Sequence, residues 1–255
     1  TASGGYELVQ ECSVVVITAG KPRLPGMSRD DLLEENFGVV AEVVKNLKRY
    51  APHAIWLVVT NPLDAMVYAA SRLSGKERGH VLGMAGVLDS ARFRAAIARH
   101  AMVSADDVHA LVLGSHGDLM VPLIRFATVA GIPARDLMDE NQLSLALEST
   151  RNAGTELVTL LQTGSAWYAA GASVATMVDS IVHDRKKILC ASILCNGEYG
   201  IDTVCIGVPV VLGAAGAERI IELKLDTTEK AALSRAAGHL KAMQDKVDRL
   251  IEQGV

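Results

Sequence analysis

Runs of uniformly apolar residues alternate along the first hundred positions with stretches in which apolar side chains recur every three to four residues. Val14, Val15, Val16 and Ile17, flanked by Ser13 and Thr18, form a short β-branched run, as expected of a strand buried on both faces, and Ala19-Gly20 ends it. A polar loop with Pro22, Pro25 and Gly26 follows. Ser28-Arg29-Asp30-Asp31 then opens an amphipathic helix to about Tyr50, with Ser28 as its N-cap. The order repeats: Ala54 to Thr60 reads as a strand, and a helix runs from Pro62 to about Ser74, proline suiting a first helical turn. His80 to Met84 is a third short strand, followed by helical spacing from Leu88 to about Ala101. Such alternation predicts an open parallel sheet.

After Val108 the pattern changes. Short strands are expected at Val108–Leu113 and Leu123–Val129, long helices at Asp139–Leu161 and Ala166–Asp184, a strand at Val204–Leu212, and a surface helix at Thr227–Gln253. A second domain of α+β type is expected from about Ser104, dividing the chain into residues 1–103 and 104–255.

The 255 residues allow one large or two modest domains. With 50% hydrophobic and 21% charged residues and no apolar run long enough for a bilayer, the sequence is that of a folded globular chain. A net charge of -4 gives no bulk attraction for nucleic acid or an anionic membrane, so neither is an expected partner. Cys12, Cys190, Cys195 and Cys205 match no disulfide framework or zinc spacing; reduced thiols, no metal and a cytoplasmic setting are the expectation, Thr1 to Glu11 lacking the features of a secretory signal.

His116 lies between Ser115 and Gly117 directly after an apolar strand, where a side chain can reach a cleft and act as a general base. Asp89 and Arg92 share one helix face; the aspartate suits the orienting of an imidazole, and the pair equally suits an ordinary intrahelical ion pair. Arg23 and Arg29 belong to a loop that could close over an anionic substrate or remain a solvated basic loop. Asn61, at a strand end, could present its amide to a ligand or cap the next helix.

Thr18 to Arg29, Val59-Thr-Asn-Pro-Leu-Asp64, Gly83 to Arg94 and Gly114-Ser-His-Gly-Asp118 resemble, in collinear order, blocks of the lactate/malate dehydrogenase family. The likeness continues through Gly164-Ser-Ala-Trp-Tyr168, Asp184 to Lys187, Gly197-Glu-Tyr-Gly200 and Gly207-Val-Pro209. It implies a Rossmann-type parallel sheet followed by an α+β substrate domain, and reversible NAD-dependent oxidation of (S)-malate to oxaloacetate; lactate or another 2-hydroxy acid as substrate, or a catalytically silent fragment, are the alternatives. The resemblance makes His116 the proton acceptor and donor for the substrate C2 hydroxyl and Asp89 its orienting partner. It assigns Arg92 to the substrate carboxylate, Arg29 to the reacting carbonyl and Arg23 to the distal carboxylate. Asn61 would hydrogen-bond substrate and Ala166 shape its pocket. Gly20, Asn36, Val59, Thr60 and Asn61 would border the nicotinamide side of NAD. A homodimer or homotetramer is implied, with Phe37–Leu47 and Ala166–Val182 as candidate interface helices or, equally, intramolecular core.

Three departures stand out. No Gly-x-Gly-x-x-Gly precedes Ser13, nor does a strand ending in a ribose-binding acid. The expectation is an incomplete cofactor sheet lacking its first βαβ half, with Ser13–Thr18 at its edge, and weak or no NAD binding by this chain. Cys190 stands where relatives commonly have proline, and Met102 where they commonly have glycine.

Overall fold

The computed structural model describes residues 4–22, 29–117, 119–161 and 167–254. Its first part follows the expected alternation. Strand β1 (Val14–Ile17) leads to helix α1 (Arg29–Tyr50), β2 (Ile55–Val58) to α2 (Leu63–Ser74), and β3 (Val81–Gly83) to α3 (Gly86–Ala101). The three strands are parallel, Val14 opposite Ile55 and Trp56 opposite Val81. Side chains of β2 and β3 are buried on both faces: Trp56, Val58 and Val81 pack with Phe37, Val40 and Val44 of α1, whereas Leu57 and Leu82 face the opposite core with Leu88 and Met177. A strand wedged between helical layers has no solvent side, which is why it reads as an unbroken apolar run.

The second part is built differently. Beyond β4 (Val108–His109), β5 (Val112–Gly114) and β6 (Met120–Pro122) come β7 (Thr128–Val129), β8 (Ile132–Pro133), the short α4 (Ala134–Leu137), α5 (Glu140–Leu161) and α6 (Trp167–Val182). The chain then forms β9 (Lys187–Asn196), β10 (Asp202–Gly213), β11 (Gly216–Ile220) and α7 (Thr227–Glu252). Strands β9 and β10 pair antiparallel along nearly their whole length, and β9 joins β3 through Gly83 and Ser192. One eight-stranded sheet therefore runs β1-β2-β3-β9-β10-β5-β6, with β11 added to β10, and β1 ends that order among the described residues. A small sheet, β4-β7-β8, lies apart.

Several expected boundaries shift. The segment 108–113 splits into β4 and β5, which belong to different sheets, and 123–129 holds a 3-10 turn, Ile124–Phe126, before the two-residue β7. Pro62 is the N-cap of α2 rather than its first helical residue, and no side chain caps that end, so Asn61 is not a cap. Ser28, Arg23 and Ala166 fall outside the described residues, and of Arg29 only the backbone, the first residue of α1, is described. Phe37, Val40, Val44 and Leu47 are buried within the chain, which makes that helix face core and not an interface. Cys190, Cys195 and Cys205 are buried free thiols and Cys12 an exposed one.

Candidate active site

Two loops leave the carboxyl ends of β1 and β2 side by side, the end of an open parallel sheet at which ligands bind. Backbone and neutral side chains clip them together. The Val59 N–H donates to the Ile17 carbonyl at 2.8 Å and the Thr60 hydroxyl to the Ala19 carbonyl at 2.6 Å. Asn36, fully buried on α1, accepts the Lys21 N–H at 2.7 Å and donates to the carbonyls of Lys21 and Asn61 at 3.1 and 2.6 Å. Gly20 has φ +156, and a Cβ there would lie 2.5 Å from the Thr60 methyl, so only glycine lets the loops close. Thr18, Ala19, Gly20 and Asn61 remain exposed above this floor, and the Asn61 amide has no hydrogen-bond partner among the described residues. An exposed, glycine-shaped backbone edge with a free amide fits the nicotinamide side of a dinucleotide.

His116 arrives from the other part of the molecule, in the tight turn between β5 and β6. Gly114 shapes it: φ is +89, and a Cβ would come within 2.7 Å of the Leu119 carbonyl oxygen. The imidazole, 18% exposed, directs Nδ1 to Asp89 Oδ2 at 2.8 Å; the Asp89 side chain is 2% exposed in the first turn of α3. Arg92, one turn further along α3, donates from Nη1 to the other Asp89 oxygen at 3.3 Å and is 17% exposed. One carboxylate thus serves an imidazole and a guanidinium, leaving Nε2 of His116 without a partner among the described residues.

A second buried acid completes the cluster, one to which the sequence motifs assign no role. Asp64, in the first turn of α2, accepts the His116 backbone N–H at 3.0 Å and the Ser192 hydroxyl at 2.6 Å. Its own carboxyl is pushed above the usual carboxylate range, because burial outweighs the hydrogen bonds from Ser192 and His116. For His116, burial pulls the imidazole pKa down; the Asp89 charge and hydrogen bond and the Asp64 charge overcome that and the opposing Arg92, so the net movement is upward from 6.5.

Of the expected site, the structure brings together His116, Asp89 and Arg92 in one cluster and Gly20, Asn36, Val59, Thr60 and Asn61 in another. The hints of Asp64 in the sequence are its place at the end of the Val59-Thr-Asn-Pro-Leu-Asp64 block and two residues after Pro62 at a helix start.

The profile for the lactate/malate dehydrogenase NAD binding domain matches residues 1–83, and that for the lactate/malate dehydrogenase alpha/beta C-terminal domain matches residues 86–251. The chain belongs to the lactate/malate dehydrogenase family. Within it, the malate dehydrogenase of Salinibacter ruber is 48% identical over 254 residues, 100% of this chain and 81% of the relative. That of Cytophaga hutchinsonii is 48% identical over 97% of this chain and 79% of its own length. Among solved structures, the S. ruber malate dehydrogenase superimposes with a TM-score of 0.91 at 46% identity, covering 98% of this chain and 79% of that one. A lactate dehydrogenase from Eimeria maxima with NADH and oxamate gives 0.93 at 38% identity, covering 99% of this chain and 78% of that one. The sheet of this family member, parallel in its first part and antiparallel beyond β3, carries both clusters.

Proposed function

We propose that this chain is a malate dehydrogenase, interconverting (S)-malate and oxaloacetate with NAD. The observation that carries the reading is the sheltered His116–Asp89–Arg92 set, a base, its orienting acid and an anion clamp within one contact network. The curated relatives at 48% identity, named malate dehydrogenases, support the substrate.

His116 Nε2 takes the proton of the C2 hydroxyl when malate is oxidised and returns it to the carbonyl oxygen in the reverse direction. Asp89 holds the ring through Nδ1, fixing the tautomer and balancing the imidazolium charge. Arg92 grips the carboxylate next to the reacting carbon with the guanidinium nitrogens that Asp89 leaves open. Arg29 polarises the reacting carbonyl, Arg23 binds the distal carboxylate, Asn61 adds a hydrogen bond to substrate and Ala166 shapes the pocket. Gly20, Val59, Thr60 and Asn61 border the nicotinamide, with Asn36 fixing their loops from below. When bound, NAD supplies the hydride acceptor or donor at its nicotinamide C4. These cofactor-side residues fall within 1–103 and His116 within 104–255, the division we propose for the two domains.

A homodimer or homotetramer is part of this reading. Its support is α6, which leaves Trp167, Tyr168 and Val182 at 70, 95 and 57% exposure.

Competing substrates test the assignment. The protein is expected to oxidise NADH with oxaloacetate much faster than with pyruvate, and Arg23→Gln to lower the oxaloacetate kcat/KM far more than the pyruvate value. Leaving a dianion's second carboxylate unpaired costs several kcal/mol by order of magnitude, whereas a methyl group never used that arginine. Equal losses on both substrates would overturn the role of Arg23.

A further inference from the structure

Asp64 and Asn36 do the same mechanical work with different chemistry. Each is buried, each accepts a backbone N–H from a distant loop, and each ties together segments far apart in sequence. For Asn36 a neutral amide suffices. A carboxylate in the same situation carries a desolvation cost that an amide escapes, and the burial of Asp64 is nearly complete at 3% exposure. A clamp alone does not require that charge.

The charge has one partner that can use it. Asp64, on α2, joins the β9 junction at Ser192 to the turn that carries His116: its carboxylate holds the His116 backbone N–H, and Asp89 reaches the ring itself from α3. The groups facing His116 among the described residues are Asp89 and Arg92 from α3 and Asp64 from α2; β9 contributes only the neutral Ser192. Asp64 in turn faces His116 and Asp89, with the buried Cys205 of β10 within its field. Arg92, in contact with Asp89 at 3.3 Å, sets a positive charge against protonation of the ring. A second anion restores the balance in favour of a protonated ring, and its place in the first turn of α2 lets the helix dipole help to hold it charged.

We propose that Asp64 is a positioning residue for His116, anchoring its backbone to Ser192 and supplying the second negative charge that sustains the protonated imidazole during turnover. The proposal rests on His116 as the proton-transfer group. It makes the junction between the parallel and antiparallel parts of the sheet, where Ser192 pairs with Gly83, part of the machinery that sets the base.

Two variants separate anchor from charge. Asp64→Asn removes the charge but keeps an acceptor for the His116 N–H, its amide nitrogen donating to the Ser192 hydroxyl in place of the native bond, in which that hydroxyl donates; Asp64→Ala removes anchor and charge together. Histidine NMR of the protein without cofactor reads the ring directly, the His116 signal among the seven histidines being assigned by its loss in His116→Asn. In Asp64→Asn the His116 midpoint is expected to move to lower pH while the other six stay in place. In Asp64→Ala, kcat for oxaloacetate reduction is expected to fall about 10- to 100-fold with KM little changed, the cost of a base displaced by a fraction of an ångström to an ångström. Asp64→Asn should recover most of that kcat at a pH below its lowered midpoint. An unchanged His116 midpoint in Asp64→Asn, or a wild-type kcat in Asp64→Ala, overturns the proposal; should Asp64→Ala not fold, the Asp64→Asn titration decides alone. A wild-type protein that fails to reduce oxaloacetate would instead overturn the functional reading, leaving the titration comparison valid.

Discussion

Two histidines of this chain touch an aspartate through Nδ1 at nearly the same distance, His116 to Asp89 at 2.8 Å and His183 to Asp179 at 3.1 Å. What surrounds them differs. The first pair is 18 and 2% exposed and joins residues 27 positions apart on separate elements. The second is 61 and 34% exposed, joins i and i+4 at the end of α6, and shares its aspartate with Arg185 and Lys187. The hydrogen bond from Arg185 holds the Asp179 carboxyl below its usual range, and water and salt screen the rest. Among the described residues more ionic contacts converge on Asp179 than on Asp89, yet only the buried pair has few enough competitors for one proton to matter. Shelter, more than distance or the number of partners, separates a reactive pair from a solvated one.

Removing each imidazole puts the contrast to its hardest test. His116→Asn is expected to lower kcat for oxaloacetate reduction by about 10²- to 10⁴-fold, the usual worth of a positioned acid–base group. His183→Asn should change it less than about twofold and shift stability by only a few tenths of a kcal/mol. Steady-state kinetics and urea unfolding of the two variants check both statements, and comparable losses in kcat would break the comparison.

The Asp partners sharpen it. Asp89→Asn should cost roughly 10³-fold in kcat, since the ring loses its orientation and its counter-charge together. A pH effect comes with that loss. Reduction needs a protonated His116, so its kcat/KM is full below the His116 pKa and falls as pH rises through it; oxidation of malate shows the mirror image. Because the native pKa is raised, chiefly by Asp89 against the pull of burial, Asp89→Asn moves the falling limb to lower pH. In Asp179→Asn the profile is expected to overlay the wild type, and the same result should hold from low to high salt.

Much of this was legible in the chain itself. The strands at 55–58 and 81–83 are buried on both sides and that at 14–17 is at least partly buried throughout, so continuous apolar character marked all three, and α1 and α5 end at their expected positions, Tyr50 and Leu161. His116 announced itself by standing in Gly114-Ser-His-Gly117, directly after such a strand. Strand β9 did not: Cys190-Ala-Ser192 at its middle is small and weakly strand-forming, where Gly86 approaches Cys190 and Gly83 approaches Ser192 closely and leave little room. With β9 unseen, the sheet could not be followed from one part of the chain into the other. Ser192 had no place, and Asp64 had no visible partner. The missing information was tertiary pairing, which local pattern does not encode.

Neutral burial offers an intermediate case. Gln244 of α7 is fully buried and accepts the Cys205 N–H at 3.2 Å while donating to the Cys205 carbonyl at 2.9 Å, completing a stretch of β10 that no strand covers on that side among the described residues. Gln244→Leu would strand both backbone groups at about 1–3 kcal/mol each, so a loss of about 2–5 kcal/mol in unfolding free energy is expected by urea titration. A loss below 0.5 kcal/mol would show that shelter magnifies charge alone and not hydrogen bonding in general.

Met102 supplies the opposite limit, a residue with almost no neighbours whose effect is purely conformational. It is 88% exposed and ends α3 in the left-handed region, φ 56 and ψ 46, its N–H donating to the Ala98 carbonyl. A side chain with a Cβ pays for that conformation, roughly 1 kcal/mol, while glycine does not, which gives a physical reason for the glycine expected here from the family resemblance. Since glycine also widens the unfolded ensemble, part of the gain is returned. Met102→Gly is therefore expected to stabilise the protein by a few tenths of a kcal/mol to about 1 kcal/mol, read as a higher urea midpoint with an unchanged slope and kcat. A destabilised variant would mean that the exposed thioether makes contacts in solution that outweigh its backbone strain.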